Sequence, residues 1–140
     1  MKLRILVAAA VLVSGAVHLI LWADGIRDIS VIGPLFLLNA VAALVIAGAA
    51  LFWRTWLPLL MAAGFGASTL VAFVISATVG LFGVHESWTG GYVVTANVAE
   101  LVALVGGCWA LYAEGWASTA RAHLPHRQAG SARQPGRHAT

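Results

Sequence analysis

The sequence is short of charge: only 9% of its 140 residues are Asp, Glu, Lys or Arg. A soluble domain carries roughly 25%. So few charged groups cannot clothe a water-facing surface, which excludes an ordinary soluble domain. Cysteine is scarcer still. The single thiol, Cys108, lies in an apolar run, so neither an intramolecular disulfide nor a CxxC redox or zinc motif is available. Lysine is nearly absent, with one Lys against seven Arg. With abundant Ala, Val and Gly, that bias points to a GC-rich bacterial genome. No basic stretch is interleaved with aromatics, which argues against nucleic acid as a partner. Soluble-enzyme signatures are missing too. Gly64-Phe65-Gly66 sits inside an apolar run without the Lys of a phosphate loop, and Ser14-Gly15 has no nucleophile-elbow context.

What is present is apolar: 61% of the residues are hydrophobic. Crossing a hydrocarbon core of ~30 Å takes roughly 20 such residues in a helix. Four stretches are long enough, at about 5–22, 31–53, 56–83 and 91–112. The breaks between them are short, so neighbouring helices must run antiparallel. The prediction is an all-α protein with a four-transmembrane-helix, up-down-up-down bundle over residues 1–116. Lys2 and Arg4 before an apolar run that reaches Ser14-Gly15-Ala16 also suit a signal peptide. The run continues to Trp22, however, and nothing downstream resembles a secreted domain, so an uncleaved first helix is expected.

Of the eight Lys and Arg, six lie at the two ends: Lys2, Arg4, Arg121, Arg127, Arg133 and Arg137. Arg54 falls between the second and third stretches. Basic residues flanking spans stay on the cytoplasmic side, so both termini are expected in the cytoplasm of a bacterial plasma membrane. Trp22, Trp88 and Tyr92 would then mark the outer interface, and Trp53, Trp56, Trp109, Tyr112 and Trp116 the inner one. Residues 117–140 are Arg, His, Gln, Gly, Ser and Pro-rich and have little to bury, which predicts a disordered basic cytoplasmic tail.

One ungapped offset brings Gly33 onto Gly91, Asn39 onto Asn97 and Gly48 onto Gly106, and His18 and His85 each precede a Trp. The pattern suits a chain of two repeated helical hairpins. Gly64, Ser68, Ala72 and Ser76 form a small-residue stripe on the third helix, suited to close packing.

Polar residues inside an apolar span are the informative ones. His18, Asn39, Asn97 and Glu100 all fall in one layer of the outer leaflet, while the inner half reads as almost purely apolar. Ser14 and His18, four apart, share a helix face, as do Asn97 and Glu100, three apart. A carboxylate at that depth costs about 2.5–3.5 kcal/mol. His18, or Arg27 reaching down from the outer loop, would be its partner. His18, His85, Glu86 and Glu100 are possible ligands for a metal, but their spacing matches no metal motif, so no metal site is expected. A bis-histidine haem would need His18 and His85 to face each other. The cluster His18, Asn39, Asn97, Glu100, Arg27 and His85 is either a structural clasp or a small ligand site.

The runs Gly15-Ala16-Val17-His18-Leu19 and Ile32-Gly33-Pro34-Leu35-Phe36-Leu37-Leu38-Asn39 resemble those of uncharacterised bacterial four-helix integral membrane proteins. More distantly, the layout over residues 5–112 resembles the DoxX-like membrane proteins. The resemblance implies the four-helix fold. The DoxX-like likeness also implies a quinone-linked or redox-accessory role, although that family's polar positions are not matched. The resulting expectation is a non-enzymatic accessory or ligand-binding subunit without a resident cofactor, embedded in the lipid bilayer. A larger membrane complex or a homo-oligomer would be its partner. A component holding quinone or haem, and a small transporter, are the alternatives.

Overall fold

The computed structural model describes residues 1–122, with side chains described through residue 115. It contains helices α1 (Lys2–Ala23), α2 (Ile32–Phe52), α3 (Leu57–Thr78) and α4 (Gly91–Ala122), with a short 3₁₀ turn at Ile26–Asp28. No strand occurs among the described residues; the one β-bridge joins Leu81 to Val84. All four helices are long and apolar enough to cross a membrane, α4 over Gly91–Gly115. Their surfaces suit lipid rather than water. At most 39% of any span's apolar stretch is buried, and Leu44, Val45, Val98 and Val105 face outward. The protein is a small multi-pass membrane protein built as a four-helix bundle.

Local chemistry sets the helix ends. Pro34 and Pro58 stand in the first turns of α2 and α3, where a missing N–H costs nothing. An α3 reaching Gly83 is expected from hydropathy, but the helix stops at Thr78. The backbone then turns left-handed at Gly80, Phe82 and Gly83. Reciprocal Leu81–Val84 backbone bonds of 2.8 and 2.9 Å close this turn, and Ser76 Oγ donates to the Val84 carbonyl at 3.0 Å. At the other end, α4 runs past the expected 112. Of the predicted tail, 117–122 continues the α4 backbone, and the remainder lies outside the described residues.

α1 is the hub, packed most extensively on α2 and α4, while α3 rests mainly on α4. α1 presents one buried stripe at alternating spacings of three and four: Arg4, Val7, Val11 and Ser14, with His18 half-buried beyond. Val7 and Val11 meet Ala43, Ile46, Ala62, Phe65 and Ala103 in the apolar middle of the bundle. Small residues make these contacts close, as membrane helices require. A Cβ on Gly66 would collide with the Glu100 backbone carbonyl, so this glycine lets α3 seat α4 at the level of Glu100. The predicted small-residue stripe does not do this work as a unit. Gly64 and Ser68 are exposed, and Ala72 and Ser76 turn toward a cavity instead.

The end of the bundle where the described chain begins is expected to be almost purely apolar, and it is not. Arg4 is buried there and binds the Glu114 carboxylate through Nε at 2.7 Å and Nη2 at 2.5 Å. Its remaining N–H groups donate to the carbonyls of Ala50 (3.2 Å), Trp53 (2.7 Å) and Thr55 (2.6 Å). The guanidinium thereby caps the carbonyl end of α2 and ties it to α4 through a two-pronged ion pair.

Candidate functional site

At the opposite end, all four helices and the Leu81–Glu86 segment surround a cavity of about 160 Å³. α1 contributes His18 and Leu21, and α2 contributes Ile32, Leu35, Phe36 and Asn39. Thr69, Ala72, Phe73 and Ser76 come from α3, and Tyr92, Val93, Ala96, Asn97 and Glu100 from α4. Helical periodicity explains the selection. Phe36 and Asn39, then Ala72 and Ser76, then Ala96 and Glu100 lie three or four residues apart and so share a face. The walls are largely apolar, with polar groups at the deep end.

Glu100 is only 2% exposed. Its Oε1 accepts a hydrogen bond of 2.9 Å from Ser14 Oγ on α1, and no cation pairs with it among the described residues. His18 turns back on its own helix, with Nδ1 2.9 Å from the Ser14 carbonyl oxygen. A carbonyl can only accept, so Nδ1 carries a proton, and a neutral ring would keep its lone pair on Nε2. The imidazole also stacks obliquely on Phe36, with ring centroids 4.8 Å apart. Asn39 Oδ1 is buried without a hydrogen-bond partner. On the far wall Phe73 and Trp88 make an edge-to-face pair at 5.2 Å.

Of the residues singled out from the sequence, the structure brings His18, Asn39, Asn97 and Glu100 to one cavity. Arg27 is placed elsewhere: its side chain is 57% exposed, and the nearest carboxylate is that of Asp28 at 3.9 Å. It does not reach Glu100, whose partner is the Ser14 hydroxyl. His85 also lies outside the cavity, its ring packed over Gly80. The two histidines therefore do not face each other as axial haem ligands would. No group of three or more His, Cys, Asp or Glu residues is arranged to hold a metal among the described residues.

Sequence reasoning passed over Ser14 as Glu100's partner, although its place one turn before His18 was a usable signal. It missed Thr69 and Phe36 altogether, because a threonine or phenylalanine in an apolar span carries no signal of its own. Glu86, considered only as a metal ligand, belongs to the cavity lining. The proposed repeat pairs unlike environments: Asn39 and Asn97 both line the cavity, but Gly33 packs against the Arg27 carbonyl while Gly91 meets nothing. The chain matches no family model, no curated protein and no solved structure.

Proposed function

We propose that this chain is a non-enzymatic ligand-binding or accessory subunit of a bacterial plasma membrane, with its ligand site in the Glu100 cavity. The observation that carries this reading is a buried carboxylate at the base of an apolar-walled cavity, with no counter-cation beside it. A purely structural clasp would use up its hydrogen-bonding groups, whereas here Asn39 keeps an orphaned acceptor. The DoxX-like likeness carries the quinone alternative. Transport is disfavoured by the solid apolar middle around Val7, Val11 and Phe65, which leaves no polar path onward from Glu100.

Native mass spectrometry of protein extracted from its own membrane in mild detergent tests the site. The expected result is a retained small molecule that is lost in Ala72→Phe, a substitution that fills the cavity. Identical spectra for both proteins would remove the ligand-site reading, and co-extracted quinone or a Soret band would establish the redox one. The same reading places both termini in the cytoplasm, on the evidence of Lys2, Arg4, Arg54 and the basic tail. In a Cys108-free background, an impermeant thiol reagent applied outside should label Ser87→Cys and spare Ser131→Cys. The reverse pattern inverts the orientation.

A further inference from the structure

Accepting the cavity as a ligand site, we infer that it takes a small organic cation, an ammonium group on an apolar body about the size of one six-membered ring. The cavity's acidic and orphaned atoms are acceptors, and its donors are the Asn39 and Asn97 amides and the Tyr92 hydroxyl. Thr69 Oγ1 donates its proton to the Phe65 carbonyl at 2.8 Å, and Ser76 Oγ donates to Val84. Neither hydroxyl has a proton left for a ligand. In its neutral form His18 offers the lone pair of Nε2, Nδ1–H being committed to the Ser14 carbonyl. Asn39 Oδ1 is buried and unpartnered. Glu100 receives one bond from Ser14 and so retains acceptor capacity. A ligand that satisfies these acceptors brings donors of its own, and an ammonium carries three where a hydroxyl carries one.

Charge points the same way. The ionisable acids lining the cavity are Glu86 and Glu100, and neither Lys nor Arg lines it. An anion would meet like charge in a medium of low dielectric, whereas a cation would complete an ion pair. The walls add to this preference. Phe36, Phe73 and Tyr92 surround the cavity, and aromatic faces attract cations within about 6 Å. Size limits the body of the ligand, since a cavity of about 150 Å³ holds benzene and this one is about 160 Å³.

Three probes of nearly equal size separate the possibilities: benzylammonium, benzyl alcohol and benzoate, titrated calorimetrically into the protein in phosphatidylcholine nanodiscs, with empty nanodiscs as reference. Benzylammonium should bind at least tenfold more tightly than benzyl alcohol, and benzoate should give no heat. Glu100→Gln should bring ammonium and alcohol to within threefold of each other. Glu86→Gln, at a partly exposed position of the lining, should lower the ammonium preference by a smaller factor. Ala72→Phe should abolish binding of all three. Alcohol binding as well as or better than ammonium would overturn the cation inference and leave the ligand site standing. Failure of every probe would overturn both.

Discussion

The antiparallel α1–α4 interface carries a carboxylate near each of its ends, and the two are treated in opposite ways. Glu114 and Glu100 lie on one face of α4, separated by about 21 Å of helix. Glu114 stays 41% exposed, yet it receives the whole fork of Arg4, whose side chain is 5% exposed. Glu100 is far more deeply buried but is met by neutral hydroxyls, Ser14 at 2.9 Å and Thr69 beside it. Desolvation alone would put the stronger partner on the deeper acid. The reversal separates two tasks. The Arg4 end is saturated with hydrogen bonds and closes the bundle, whereas the Glu100 end is left short of donors and keeps a cavity. The clamp and the cavity sit at opposite ends of one helix pair.

The comparison would break most visibly at Arg4. Arg4→Leu removes the fork and strips the α2 carbonyls of their cap, and it should cost about 3 kcal/mol, the lower end for a broken buried pair because Glu114 remains partly solvated. Arg4→Lys should recover less than half of that, since an ammonium cannot present the same planar fork. Reversible unfolding in mixed micelles measures both. A loss under about 1 kcal/mol for Arg4→Leu would show that this end is no clamp.

Glu100 should give a smaller effect with a different signature. Glu100→Leu should destabilise by about 1–3 kcal/mol through groups left unsatisfied, and Glu100→Gln by less than about 1 kcal/mol. If Glu100→Leu proved costlier than Arg4→Leu, the division of tasks would be reversed. The smallest effect belongs to Arg27→Ala, expected within about 0.5 kcal/mol of wild type, because its side chain is exposed and does not line the cavity. A larger loss would show that the loop does contribute to the site.

Much of this architecture was legible in the residues. Four long apolar runs with short breaks leave little choice but an antiparallel bundle, and polar residues in a span announce themselves by their cost. His18, Asn39, Asn97 and Glu100 were found that way. Arg4 and Glu114 were not, because a charge near the end of a span is what topology rules already expect and so seems explained. Nothing in the sequence alone pairs residues 110 apart. The same limit hid Ser14: its hydroxyl is unremarkable on α1 until α4 brings Glu100 against it. Arg27 misled for the converse reason. Its reach is sufficient in principle, but the 3₁₀ turn that carries it directs the side chain outward.

The Arg4–Glu114 pair also has a consequence in time. A ribosome delivers Arg4 early and Glu114 only after three more hydrophobic segments have been threaded into lipid. Throughout that interval the guanidinium lacks its Glu114 partner. It becomes a clasp only when the last segment arrives, and nascent chains that stall before Glu114 lack the closing contact. The pair is thus a latch that reports the final segment in place.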